Sequence, residues 1–155
     1  LLIADSAATQ AIYFSMSEDD IEHALRQPWV SIGIDAGARD TVLSSHPHPR
    51  AFASFPRVLC HYVKARGVLT LPDAIRRFTA LPAARVGLDD RGVIKAGMHA
   101  DLTIFHPDEV CDRATFERPV QRSAGIVHVL VNGVPVVRNG GVTGARPGRG
   151  LRRAR

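Results

Sequence analysis

The spacing of apolar residues predicts alternating strands and helices in the first part of the chain. Continuous apolar runs at residues 11–16 and 29–34 are typical of buried strands. Between them, Ser17 is placed to cap a helix, and Pro28 ends that helix. A strand, a short helix and a second strand in this order predict a parallel sheet with both faces covered.

The next part of the chain is predicted to be helical. Apolar side chains within residues 52–63 recur at the spacing that places them on one face of a helix. Thr70 and Asp73 form a second capping pattern, which opens a helix that ends before Pro82. A further short helical turn is expected to run to Val86.

Beyond residue 90 the pattern changes from helices to strands. The apolar runs that predict strands are residues 92–97, where the run ends in a turn, and residues 100–105, 126–131 and 134–137. Asn132 and Gly133 favour a type I′ hairpin turn between the last two strands. The chain is therefore predicted to be an α/β protein that closes with a small antiparallel β unit.

Composition and charge exclude two classes of partner. With 45% hydrophobic and 23% charged residues, the chain is typical of a globular protein, and no run approaches the roughly 18 apolar residues of a membrane span. The net charge of +5 equals the five arginines of residues 146–155. No aromatic residues interleave with these arginines, so we expect a solvated tail and no nucleic-acid binding.

The two cysteines, Cys60 and Cys111, lie 51 residues apart and form no CxxC motif. Leu1 to Asp5 lack the basic leader of a signal peptide. We therefore expect a cytoplasmic protein with two ordinary thiols.

A resemblance to a known family rests on seven stretches of sequence, two of which are residues 55–59 (FPRVL) and 143–149 (TGARPGR). Residues 92–105 (GVIKAGMHADLTIF) and 129–137 (VLVNGVPVV) together resemble the closing segment of the amidohydrolase superfamily. Residues 12–16 (IYFSM), 33–37 (GIDAG) and 46–50 (HPHPR) are similar to the D-aminoacylases and related N-acyl-D-amino-acid deacylases. The similarity extends over essentially the whole chain.

This resemblance implies a fold and a division of the chain. Residues 1–90 would be the C-terminal portion of a (β/α)8 TIM barrel, with its last two strands and helices. Residues 91–145 would be the C-terminal part of a small β-sandwich domain, and residues 146–155 a flexible Arg-rich tail. The complete enzyme would use Zn2+ to hydrolyse the linear amide C–N bond of N-acyl-D-amino acids. Because most zinc ligands would lie upstream, this chain alone is expected to be inactive.

Asp35 is the candidate catalytic residue. It follows the predicted strand at residues 29–34, where a buried carboxylate is costly unless a metal or a proton partner satisfies it. The resemblance implies that Asp35 takes a proton from zinc-bound water and delivers it to the leaving amine, and it makes Asp35 a weak candidate metal ligand. From the residues alone, Asp35 equally fits a cap of the following turn.

Three residues are candidates for substrate binding. Tyr13 and Met16 match positions that line the pocket for the substrate's side chain in the resembled family, although core packing explains such a pair equally well. Arg50 is placed to face a carboxylate. His46 and His48 form an HxH pattern, but prolines interrupt it and further zinc ligands are missing, so we interpret this loop as a rigid edge of the pocket.

Two other functions stay open from the sequence. Dihydroorotase-like and dihydropyrimidinase-like enzymes share the strand-end Asp and the β-sandwich. A non-catalytic binding or assembly module would remain if the barrel were lost. For the deacylase interpretation, the expected partner is a small-molecule substrate, with a homo-oligomer left open.

Overall fold

The computed structural model describes Ala4 and residues 13–37 and 47–151, in which helices come first and an antiparallel sheet comes last. The helices are α1 (Glu18–Arg26), α2 (Arg50–Arg57), a π-helical continuation (Val58–Ala65), α3 (Leu71–Phe78) and α4 (Ala80–Val86). The strands are β1 (Leu102–Phe105), β2 (Ile126–Val131), β3 (Val134–Arg138) and β4 (Gly141–Val142). None of the described helices is long and apolar enough to cross a membrane.

Helix α1 begins and ends where the sequence predicts. Ser17 is its N-cap residue and has an extended backbone, with φ −80° and ψ 138°. The Ser17 side chain makes no capping hydrogen bond, so the start of α1 rests on backbone conformation and on the acidic residues of its first turn. The helix ends at Arg26, two residues before Pro28.

The two strands predicted in the first part are wrong over the described residues. Residues 13–17 and 30–37 contain neither helix nor strand. The described sheet consists of β1 to β4 in that order, and all its neighbouring strands are antiparallel. A strand needs a neighbour for its backbone N–H and C=O groups, and these segments have no such neighbour within the part of the chain described.

The middle helices agree with the predicted pattern. Val58, Leu59 and Tyr62 of the π-helical continuation are buried in the core. Thr70 caps α3 as predicted, since its Oγ1 accepts a hydrogen bond from the backbone N–H of Asp73 at 3.3 Å. The helix breaks at Thr79, earlier than predicted. Pro82 has no N–H to donate to the carbonyl of Phe78, so a continuous helix would lose a hydrogen bond there, whereas Pro82 is tolerated in the first turn of α4.

The sheet confirms the predicted hairpin and corrects one strand. Asn132 and Gly133 both have positive φ, 49° and 79°, as a type I′ turn requires. Asn139 and Gly140 repeat this conformation and lead into β4, which the sequence analysis did not predict. Residues 92–97 do not form the predicted strand, although their turn is present at Gly97, with φ +89°.

One core holds the helices against the sheet. Its buried members are Leu25, Val58, Leu59, Tyr62, Leu69, Ala74 and Val110. Val110 lies in the connection between β1 and β2, and Phe105 and Ile126 of those strands pack against the same cluster. The helical part and the strand part are therefore packed together as one unit.

A disulfide bond crosses between the two parts and overturns the prediction of two ordinary thiols. Cys60 of the π-helical continuation is bonded to Cys111 in the β1–β2 connection, with 4.9 Å between their Cα atoms. Sequence spacing alone could not show this proximity, because it arises from packing of the connection against the helix. The cytoplasmic location stays a prediction.

Candidate active site

Asp35 lies at the end of an irregular segment that follows α1. Its side chain is 99% exposed, and its carboxylate contacts the Arg50 guanidinium at 3.5 Å. The structure therefore does not place Asp35 in the buried position that the sequence analysis assumed. Its catalytic role, and its role as a metal ligand, stay predictions.

Arg50 begins helix α2, and His48 fixes the turn before it. The backbone N–H of Arg50 donates to His48 Nδ1 at 3.0 Å, which requires that nitrogen to be unprotonated. Burial, followed by the nearby positive charge of Arg50, lowers the pKa of His48. His48 thus holds the loop as a neutral acceptor, which agrees with a rigid loop. His46 lies outside the described residues.

An aromatic cluster brings the two candidate binding segments together. The Phe116 ring packs edge-on against Phe14 and against His48, with 5.2 Å between ring centroids in both pairs. These contacts place the segment that carries Tyr13 and Met16 beside the loop that carries Arg50. Phe116 lies far along the chain, and the sequence analysis did not identify it.

Tyr13 and Met16 are themselves exposed in this chain. Tyr13 is 83% and Met16 is 75% accessible to solvent. Neither side chain is part of the described core, so the core-packing interpretation does not apply within this chain. Both remain available to line a pocket, and their role in substrate binding stays a prediction.

Three arginines that the sequence analysis missed hold the segment before Asp35. Arg76 and Arg77 of α3 and Arg85 of α4 donate hydrogen bonds to residues 27–31. A signal for Arg77 was present: it lies three residues after Ala74, on the apolar face of the predicted helix. A charged residue there has to find polar partners in the interior.

The described residues do not by themselves form a zinc site around Asp35. Within that part of the chain, the metal-compatible group of three side chains is Cys60, Cys111 and Asp112, and both its sulfur atoms are in the disulfide. Zinc prefers four ligands, whereas the partner of Asp35 within the described residues is a cation, Arg50. The described residues therefore do not by themselves fit a zinc ion, and a zinc centre would need ligands beyond them.

A separate apolar cavity lies between the helices and the sheet. Its volume is about 780 Å3, and its lining includes Phe55, Ile75, Phe78, Leu102 and Phe105. Neither Asp35 nor Arg50 borders this cavity. It is therefore distinct from the candidate site.

The chain belongs to the amidohydrolase family, whose model matches residues 16–137. Its relatives in that family include a D-aminoacylase and two N-acyl-D-amino-acid deacylases. The chain is 46% identical over 143 residues to D-aminoacylase of Alcaligenes xylosoxydans xylosoxydans. It is equally identical over the same length to N-acyl-D-glutamate deacylase of that organism. The match covers 92% of this chain, but only 29% and 28% of these two relatives.

Solved structures agree with the sequence relatives. A D-aminoacylase with a binuclear metal centre superimposes with a TM-score of 0.79 and 41% identity, over 86% of this chain and 27% of that enzyme. N-acyl-D-glutamate deacylase from Bordetella bronchiseptica, in complex with zinc and a phosphonate inhibitor, gives a TM-score of 0.74 at the same identity. The mixed α/β architecture is therefore that of part of a D-aminoacylase.

Proposed function

We propose that this chain is the C-terminal part of a zinc-dependent enzyme that deacylates N-acyl-D-amino acids by hydrolysing their amide C–N bond. The identity of 46% to two such deacylases over 92% of the chain carries this proposal. Residues 1–90 would complete a TIM barrel and residues 91–145 a β-sandwich, with the tail following. The substrate is a small molecule.

Asp35 is proposed as the proton-transfer group of this reaction. A carboxylate near the scissile amide would accept a proton from the attacking water and return it to the departing amine nitrogen, so that no net proton is consumed by the protein. Asp35 is exposed in this chain and contacts Arg50, so its carboxylate can face a substrate that other polypeptide would help to bind.

Arg50 is proposed to bind the carboxylate of the amino acid. Its guanidinium already lies 3.5 Å from the Asp35 carboxylate, so it reaches the space in which Asp35 would act. Arginine suits this task because its planar group donates two parallel hydrogen bonds to a carboxylate. Tyr13 and Met16 would line the space for the substrate's side chain.

The test is a chimeric enzyme, because the chain spans less than a third of its relatives. The matching 143 residues of the Alcaligenes D-aminoacylase are replaced by those of this chain, and hydrolysis of N-acetyl-D- and N-acetyl-L-amino acids is measured. We expect turnover of the D-substrates with bound zinc. A chimera that folds and binds zinc but hydrolyses neither would contradict the proposal.

Variants of the chimera test the residue roles. Asp35→Asn is expected to lower kcat by roughly 10²- to 10⁴-fold, as loss of general acid–base catalysis does. Asp89→Asn, at another exposed carboxylate, is the matched control and should leave kcat unchanged. Arg50→Met is expected to raise KM. The 155-residue chain alone should bind little zinc and show no turnover.

A further inference from the structure

Within the described residues, the backbone before Asp35 is held mainly by arginine side chains of α3 and α4, and no strand lies beside it. Arg77, which is only 2% exposed, donates through Nη1 to the carbonyl oxygens of Gln27 at 2.6 Å and Val30 at 3.1 Å. Its Nε donates to Asp73 Oδ2 at 2.8 Å. One buried guanidinium therefore connects helix α3 to the irregular segment.

Neighbouring groups extend this anchorage along the same segment. Arg76 donates to the carbonyl oxygen of Pro28 at 2.9 Å, and Arg85 donates to the carbonyl oxygen of Trp29 and to Ser31 Oγ. The backbone N–H of Ile32 donates to the carbonyl oxygen of Arg77 at 3.2 Å. The last of these contacts lies three residues before Asp35.

We propose that Arg77 is a positioning residue, which sets the path of residues 27–32 and through it the place of the Asp35 carboxylate. This inference rests on the proposed function. Arg77 is singled out because its side chain is 3% exposed, whereas that of Arg76 is 40% exposed. The planar guanidinium of Arg77 donates to a carboxylate and to two carbonyl oxygens at once. Because these donors point in fixed directions, the bonds fix where the carbonyls of Gln27 and Val30 lie.

Lysine cannot reproduce this arrangement. Its single ammonium group has no planar fork, so it cannot keep the Asp73 contact and both carbonyl contacts in the same directions. A displacement of about 1 Å at a catalytic group lowers turnover by about 10²-fold. Arg77→Lys and Arg77→Met should therefore lower kcat while KM changes little, because the substrate contacts remain.

The first experiment uses the full 155-residue chain and amide hydrogen exchange. We expect exchange of the Val30 and Ile32 amides, which donate to the carbonyl oxygens of Gln27 and Arg77, to accelerate at least tenfold in Arg77→Met and less in Arg77→Lys. Arg91→Met is the control, since the side chain of Arg91 is 11% exposed and pairs with Asp90 and Asp101 in the other part of the chain. Unchanged exchange of the Val30 and Ile32 amides in both Arg77 variants would overturn the inference.

The second experiment measures kinetics in the chimera. We expect kcat to fall 10- to 100-fold in Arg77→Lys with KM within threefold, whereas Arg91→Met retains kcat even if its melting temperature falls. An active chimera whose kcat resists both Arg77 substitutions would refute the positioning role. If the unsubstituted chimera is inactive, the proposed function fails, and the exchange experiment alone decides whether Arg77 fixes the segment.

Discussion

The disulfide between Cys60 and Cys111 leads to a quantitative stability prediction. It closes a loop with a sequence separation of 51 and joins the π-helical continuation to the β1–β2 connection. In the chain-entropy treatment, a loop of this length contributes about 4 kcal/mol by restricting the unfolded chain. The free energy of unfolding of a domain is about 5–15 kcal/mol, so this one bond accounts for a large share of the expected stability.

Urea unfolding with and without a reducing dithiol measures this contribution. For a denaturant dependence of about 1–3 kcal/mol/M, a loss of about 4 kcal/mol lowers the midpoint by roughly 1.3–4 M. The double variant Cys60→Ser/Cys111→Ser should reproduce the low midpoint and should not respond to the dithiol. Thiol titration of the unreduced, unfolded chain should find no free thiol.

Two results would refute this reasoning in different ways. Two free thiols in the unreduced chain would show that Cys60 and Cys111 are not bonded. A disulfide that is present but whose reduction leaves the midpoint unchanged would show that the loop is already restricted in the unfolded chain. The first result would restore the view that these cysteines are ordinary thiols, and the second would leave the bond in place without its stabilising effect.

Three further predictions concern stability. The hydrogen bond from Arg66, then that from Arg26, lowers the pKa of Glu22 despite its burial. The stability that Glu22 provides is therefore present above the usual pKa range of glutamate and is lost as pH falls through the lowered pKa. In Glu22→Gln, the free energy of unfolding measured against pH should fall less steeply at acid pH. Gly125→Ala should lower the free energy of unfolding by at least about 2 kcal/mol in urea, because φ at Gly125 is +71° and the new Cβ would overlap the Val110 backbone. Gly67 is the control, since its φ is +60° but the space around it is open. Gly67→Ala should therefore cost only about 1 kcal/mol. Val110→Ala should lower the unfolding free energy by about 2 kcal/mol, because Val110 is 1% exposed and a cavity would remain.

Local interactions explain which elements were predictable from the sequence. The capping bond of Thr70 and the hairpin turn at Asn132 and Gly133 depend on residues within a few positions of each other. The second hairpin at Asn139 and Gly140 has the same dipeptide, so the signal was present although it was not used. The helix from Arg50 onward was predictable from the spacing of its apolar residues.

Long-range interactions explain what could not be predicted. The Cys60–Cys111 bond and the contacts of Phe116 with Phe14 and His48 join residues that are far apart in the chain. No local pattern specifies which distant residue will lie opposite. For the same reason, the sequence identified Asp35 and Arg50 as candidates but could not show that they lie within 3.5 Å of each other.

The failed strands and the arginine anchorage have one physical explanation. Residues 29–34 have the apolar composition of a buried strand, but within the described chain they find no strand to pair with. Backbone carbonyls that lose a sheet partner still need donors, and the carbonyls of residues 27–30 obtain them from Arg76, Arg77 and Arg85. The described arginine contacts end before Asp35, whose side chain is 99% exposed. Contacts within this chain thus determine the path of residues 27–32. This chain spans 29% of the D-aminoacylase relative, and burial of the Asp35 carboxylate would need polypeptide from the rest of such an enzyme.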